Sequence, residues 1–337
     1  MNNILILGET WGNAEEEARS SFIGPSGKIL DGLLRQTGLR RKDCFLTSVF
    51  NIRPRPSENI VNLCGNKIDG IPGFPAVKPG KYILNKYRSE LDRLYAEINT
   101  VNPNVIIACG NIALWALTGH GGFNKFRGTA MLSTRPELVR QFKIIPTFHP
   151  VTVMRDWKLR PIALADFDKA SRESAFPELR RPQRFIHIAE SVIDVRDFIS
   201  RYIPENTHLS VDIETIGDQI TSIAFSPSPY LSLVIPIFTE NGDKNYWKTL
   251  EDELEIWRMI KILCENNPTF GQNFLYDMNF LWRAVGIRCM QQIDDTMLMH
   301  HAMQPEMKKG LGFLGSIYTD EVSWKFMRDV ETNKRED

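Results

Sequence analysis

The chain has 337 residues, 42% apolar and 24% charged, proportions that exclude a disordered, collagen-like or disulfide-stapled protein and predict about two domains of ~150 residues. Its 41 Lys+Arg balance 41 Asp+Glu, but residues 1–184 hold 27 basic and 17 acidic groups, and residues 185–337 hold 14 and 24. A basic half favours nucleic acid through counterion release, and an acidic half suits divalent metal or is an ordinary solvated surface.

Residues 3–8 form an apolar run stopped by glycine and predict a buried strand. Residues 26–38 carry apolar positions at helical spacing, with Ser26 as N-cap and Gly38 as the stop. A second strand is predicted over 44–50, a long Pro-, Gly- and Asn-rich loop over 51–80, and a helix over 82–100. A third strand spans 105–109, Gly110 turns into a helix through Thr118, a fourth strand spans 143–148, and a helix closes the half over 162–174. Strands alternating with helices predict an α/β domain, a three-layer α/β/α parallel sheet with its site at the carboxyl ends of the strands. Residues 175–206 read as a linker and lead-in. From His208 the pattern changes to a meander of strands over 208–215, 220–226 and 230–238, then helices over 251–265, 275–285, 296–302 and 311–318. The expected domains are therefore residues 1–174 and 207–337.

The five cysteines (Cys44, Cys64, Cys109, Cys264, Cys289) form no Cys-x-x-Cys pair, which predicts a reducing, cytoplasmic setting. No apolar run approaches the ~20 residues of a membrane span, so no membrane partner is expected. The N-terminal MNNILILGE has neither the basic region nor the cleavage site of a signal peptide.

Three polar clusters follow predicted strands: Gly8-Glu9-Thr10-Trp11-Gly12 running to Glu15 and Phe22-Ile23-Gly24-Pro25-Ser26-Gly27; Thr47 to Pro54; and Thr147-Phe148-His149-Pro150 to Arg155. As an ordered set they resemble the uracil-DNA glycosylase superfamily, its family 4 type in particular, over roughly residues 1–172. The resemblance implies cleavage of the N-glycosidic bond of deoxyuridine, with Glu9, Glu15 and His149 as catalytic residues. It implies Phe22, Ser48 and Asn51 around the extruded base, and Ser26, Arg53 and Arg155 against DNA, single- or double-stranded and uracil-containing. Trp11 replaces the motif proline. Ser48 stands where the family carries the Asn that reads uracil's pairing edge, and Asn51 or Asn13 is the nearest amide in the sequence. Family 4 enzymes hold an iron–sulfur cluster with four cysteines; here Ile52 and Tyr87 occupy two of those places, so no cluster is expected.

In the second half, Asp212-Ile213-Glu214 puts two carboxylates on one face of a predicted strand. Asn273 to Asp277 follows at a helix start, and Asp295-Thr296 precedes another helix. This order resembles the DEDD-type 3′–5′ exonucleases, a ribonuclease H-like fold of mixed sheet plus helices found beside phage family A DNA polymerases. The resemblance implies Asp212, Glu214 and Asp277 as ligands of Mg²⁺ or Mn²⁺, Asp295 as structural, and a polymerase domain or subunit as a partner. The family's last motif is not visible: Asp320 and Asp329 are acidic but lack its context, so the exonuclease domain reads as C-terminally incomplete, and weak or no nuclease activity is expected. Three functional readings follow: a phage-type glycosylase with an exonuclease-like domain, a non-catalytic DNA- or uracil-binding module on the same folds, and a glycosylase of altered base specificity.

Overall fold

The computed structural model describes residues 3–239 and 244–321. The chain separates into two units, Met1–Arg181 together with Gly312–Asp337, and Pro182–Leu311.

The first unit opens with β1 (Ile4–Thr10), α1 (Asn13–Ala18), α2 (Pro25–Gln36) and β2 (Cys44–Phe50). A short hairpin of β3 (Cys64–Gly65) and β4 (Tyr82–Ile83) interrupts the following loop, before α3 (Arg88–Val101), β5 (Val105–Cys109) and α4 (Asn111–Thr118). Then come α5 (Phe123–Phe126), β6 (Met131–Leu132), β7 (Lys143–Thr147), α6 (Pro150–Arg155) and α7 (Arg160–Glu173). The sheet order is β2-β1-β5-β7-β6, with β6 antiparallel to β7 and the other neighbours parallel. Alternation explains why the central strands are apolar throughout. Ile4 and Ile6 of β1, with Val105, Ile107 and Cys109 of β5, enter a core with Leu30, Leu34 and Phe167. Leu5, Leu7, Ile106 and Ala108 point the other way, to Leu91, Tyr95 and Trp115. A parallel strand covered on both faces has no polar side to show.

Two local expectations are corrected. Ser26 is not the cap of α2: Gly24 is, because Pro25, which lacks an N–H, takes the first helical position and leaves Ser26 buried in the first turn. The helix expected from residue 82 begins at Arg88, since Tyr82 and Ile83 pair with Gly65 and Cys64 instead.

The second unit holds β8 (Phe185–Ile188), α8 (Val192–Tyr202), β9 (Leu209–Ile216), β10 (Gln219–Ser228), β11 (Leu231–Pro236), α9 (Leu250–Asn266), β12 (Thr269–Gly271), α10 (Leu275–Val285), β13 (Ile293–Asp295) and α11 (Thr296–Met303). Its sheet runs β13-β12-β9-β10-β11-β8, with the β9-β10-β11 meander antiparallel and the outer strands parallel to their neighbours. Residues 185–202, read above as linker and lead-in, are structural parts of this unit. β8 pairs with β11, and α8 starts in a capping box of Ser191 and Asp194 and buries Val195 and Phe198 in the core.

Helix α12 (Leu311–Tyr318) begins at the boundary, and from Gly312 the chain clusters with the first unit. The anchor there is a buried polar network. Lys169 on α7 donates to the carbonyls of Gly128, Ser316 and Thr319 at 2.6, 2.9 and 2.8 Å. Arg127 pairs with Asp166 at 2.6 Å and donates to the Ser316 hydroxyl. Burial pushes the Asp166 carboxyl up to about 6, against the pull of Arg127 and of the Thr147 hydroxyl that donates to it. The 207–337 span expected for one domain is therefore divided at Gly312.

Candidate active site

A cleft of about 510 Å³ lies at the carboxyl ends of the parallel strands and is lined by Glu9, Trp11, Asn13, Glu15, Phe22, Ser26, Ser48, Glu58, His149 and Arg155, among others. Glu9 is near the end of β1, Ser48 lies in β2, and His149 follows β7. Three segments distant in sequence thus reach one rim because the sheet is parallel.

His149 caps α6: its Nδ1 accepts the Val151 N–H at 3.2 Å. An imidazole whose Nδ1 accepts carries its proton on Nε2, which makes Nε2 the donor. Burial lowers its pKa below the ordinary 6.5, outweighing the opposite pull of Glu9 and Glu15; Arg155 adds to the lowering. The ring stacks on Phe22 with centroids 5.9 Å apart and planes at 23°. Phe22 holds a left-handed backbone, φ 58°, and is 4% exposed.

The two glutamates differ. Glu9 Oε1 accepts the Ile112 N–H at 3.0 Å at the start of α4, where the helix dipole favours a negative charge. Gly110 lies against it with φ 96°, and a Cβ there would sit 2.5 Å from Oε1. Glu15 is 8% exposed, and both its oxygens accept backbone amides, Gly24 at 2.9 Å and Gly12 at 3.2 Å. It fastens the Gly12–Gly24 loop that presents Phe22.

Ser48, 3% exposed, shares a 3.0 Å hydrogen bond with Ser21, whose hydroxyl also accepts the Trp11 indole N–H at 2.9 Å. Ser21 carried no signal in the sequence. Two expected site residues are not brought to the cleft. Asn51 is not among its lining residues; its backbone N–H binds Glu90 at 2.8 Å, because the chain turns toward α3 as β2 ends. Arg53 is likewise absent from the lining and is tied to Glu58 at 3.0 Å and the Asn13 carbonyl at 2.7 Å. Asn13 lines the cleft, but its amide also donates to Glu17 at 2.6 Å. Arg155 is exposed at the rim and Ser26 is buried in the wall.

Ile52 and Tyr87, like Cys64, pack half-buried against the apolar core. Neither supplies a thiolate, so the residues present do not fit an iron–sulfur cluster. All five cysteines are free thiols.

In the second unit, β9 buries Leu209, Val211 and Ile213 and exposes Asp212 and Glu214 on its other face. Asp277, near the start of α10, is 4% exposed and accepts the Ile213 N–H at 3.0 Å. Burial, helped by the negative charges of Asp212 and Asp295, raises its pKa to about 6. Asp295 accepts four backbone amides, those of Asn273, Phe274, Met297 and Leu298, and so joins β13 to the turns around it. Asp212 lies near enough for its charge to act on Asp277, while one Asp277 oxygen is taken by the Ile213 amide; among the described residues no three His, Cys, Asp or Glu side chains are already grouped around a metal position. Asp320 clusters with the first unit and pairs with Arg172 at 3.6 Å, and Asp329 lies outside the described residues.

A DNA polymerase of Bacillus phage SP01 is 23% identical over 330 aligned positions, covering 88% of this chain and 32% of the polymerase. Brucella melitensis NrnC with bound Mg²⁺ aligns with 42% of this chain and 64% of its own at 17% identity, but a TM-score of 0.29 is too low to carry an argument. No described helix is long and apolar enough to cross a membrane. The type-4 uracil-DNA glycosylase of Thermotoga maritima is 30% identical over 175 residues, half of this chain and 75% of that enzyme. That of Archaeoglobus fulgidus is 26% identical over 178 residues, 49% of this chain and 74% of the enzyme. The family profile for the uracil DNA glycosylase superfamily matches residues 2–179, and with the glycosylase relatives it shows that the chain belongs to that superfamily.

Proposed function

We propose that the first unit hydrolyses the N-glycosidic bond of a deoxyuridine turned out of DNA into the cleft. The observation that carries this reading is the meeting of Glu9, Phe22 and His149 on one cleft at the strand ends. As the bond breaks, the base gathers negative charge and the sugar positive charge. His149 donates from Nε2 to the developing oxyanion, and a preorganised donor of this kind is worth about 3–4 kcal/mol. Its lowered pKa keeps the ring neutral, so it donates without surrendering a formal charge. Glu9, fixed by the Ile112 amide, stabilises the cation-like sugar and orients the attacking water. Phe22 offers a face to the base, and such stacking contributes about 1–3 kcal/mol. Arg155 at the rim meets phosphate. Glu15 acts by holding the loop.

For the second unit we propose an exonuclease-like scaffold with weak or no nuclease activity, linked to polymerase function in keeping with the phage match. Asp212, Glu214 and Asp277 are the residues that would hold Mg²⁺ or Mn²⁺, which would supply activation of water for phosphodiester cleavage.

The test is a uracil-containing oligonucleotide incubated with the full chain in EDTA and then treated with alkali. Strand scission lost in His149→Ala supports glycosylase action. Tight binding with the uracil left in place favours the non-catalytic module, the reading to which Ser48 lends itself. Mg²⁺-dependent digestion of a 3′ end, lost in Asp212→Ala, would overturn the scaffold reading.

A further inference from the structure

Just past the cleft a tryptophan is left on the surface. Trp157 is 60% exposed, although an indole is among the largest apolar groups a fold can bury. It opens a short 3-10 turn, Trp157–Leu159, directly after α6. The N-cap of that helix is His149, and Val151, Thr152, Met154 and Arg155 of the same helix line the cleft. The six residues of α6 span about 9 Å, so the indole stands within a nucleotide or two of the base site. Its turn is fixed: Leu159 packs on the core, and Asp156 Oδ1 accepts the Lys158 N–H at 3.2 Å. Arg160 lies over the ring, its Cζ 5.0 Å from the centroid. With the guanidinium on one face, so large an exposure belongs to the other face and the edge.

We propose that Trp157 is a stacking platform for an unpaired base beside the extruded nucleotide, which makes single-stranded DNA the preferred substrate of the cleft. This rests on the proposed role of the cleft as the seat of an extruded nucleotide. Base–aromatic stacking tolerates any sequence, because every base has a π-face, and the guanidinium behind the indole adds a positive charge. In a duplex the neighbours of an extruded base stay paired and stacked, so bringing one to the indole costs their unpairing. In a single strand that cost is absent. The charge around the indole suits a nucleic acid strand: residues 154–160 hold Arg155, Lys158 and Arg160 against one acidic group, Asp156, which is turned onto the Lys158 amide.

The experiment measures affinity of the full chain for a labelled, uracil-free strand of mixed sequence, about twelve nucleotides long, and for the blunt duplex made from it. Trp157→Ala is expected to weaken binding of the single strand about fivefold or more and of the duplex at most about twofold. Trp157→Phe keeps a ring for stacking and should hold the single strand within about threefold of wild type. Both variants should melt with the wild type, since the side chain buries little. With uracil in the same two probes, kcat/KM of the wild-type chain is expected to be about fivefold or more higher on the single strand, and Trp157→Ala to narrow that gap. Single-strand affinity unmoved by Trp157→Ala, an equal loss on strand and duplex, or duplex uracil excised as efficiently as single-stranded uracil overturns the proposal. No excision from either probe, with the Trp157→Ala loss intact on the uracil-free strand, overturns the base-excision reading instead and leaves the platform standing.

Discussion

Glu9 and Glu15 show how two like residues on one cleft acquire different work. Glu9 has one oxygen on a single amide at a helix start, whereas Glu15 has both oxygens on loop amides. Glu15→Ala is expected to lower stability by about 1–3 kcal/mol, because it orphans the Gly12 and Gly24 N–H groups. Glu9→Gln should leave the melting temperature nearly unchanged while reducing kcat by about 10²-fold or more. Paired thermal melts and single-turnover excision separate the two; the opposite assignment would appear as a melting loss in the Glu9 variant. His149 supplies the pH signature. Its native pKa lies below the ordinary 6.5, so the native protein binds fewer protons than the unfolded chain between those two values. Excision should therefore hold steady down to pH 6.5 and decline only below it, and the group's stabilising contribution is full above 6.5 and lost as pH falls through the lower native value. A pH–rate profile whose acid limb begins above 6.5 would show the imidazole to be charged more readily than its burial allows. At this scale the order of motifs was legible in the sequence, but side-chain direction was not. Arg53 sits in the right motif but its guanidinium is tied to Glu58, and Asn51 meets Glu90 through its backbone amide alone. Ser21 has no neighbour in sequence that reveals its indole partner ten residues back.

At the scale of elements, the presentation of Phe22 depends on two glycines in separate elements. A Cβ on Gly27, inside α2, would lie 1.9 Å from the Phe22 carbonyl oxygen, and one on Gly8, in β1, would lie 2.8 Å from the Phe22 ring. The first obstacle is backbone and cannot turn aside, while the second is the tip of a side chain. Gly27→Ala is thus expected to displace the whole turn and cost about 1–3 kcal/mol of stability together with excision. Gly8→Ala should move only the ring, impairing excision with a smaller loss of stability. Melts and excision rates of both variants check this, and equal stability losses would show that the ring is as fixed as the backbone. The long elements were legible because their patterning is regular: β2 and β5, buried on two faces, and α10 and α12 fall where the sequence places them. The strands β12 and β13, of three residues each, are too short to show an alternation, and they take their place from pairing with β9 and each other. β8 is missed for another reason. It is an edge strand with Phe185, Ile186 and Ile188 exposed, so its residues do not divide into buried and solvated faces.

For the molecule as a whole, the division of the chain is not the one a linear reading gives. The basic and acidic halves follow the two units closely, yet residues after Gly312 cluster with the first. Lys169 explains how that segment is held. Its side chain is 2% exposed, burial lowers its pKa, and its ammonium is met by carbonyls from residues 128, 316 and 319. Beside it, Ser316 accepts from Arg127, Arg127 pairs with Asp166, and Asp166 accepts from Thr147, two residues before His149. Lys169→Met keeps the length of the side chain and removes its donors, leaving three carbonyls to find water or remain unsatisfied. The expected loss is about 2–4 kcal/mol. Because two of the carbonyls belong to the returning segment, amide hydrogen exchange over residues 312–319 should speed up more than exchange in β1 or β5, whose hydrogen bonds are independent of it. Excision should fall in the same variant to the extent that Thr147 loses its fixed partner. Uniform acceleration across the first unit would instead show that the segment and the sheet unfold as one, and unchanged exchange would show that Lys169 does not hold the segment.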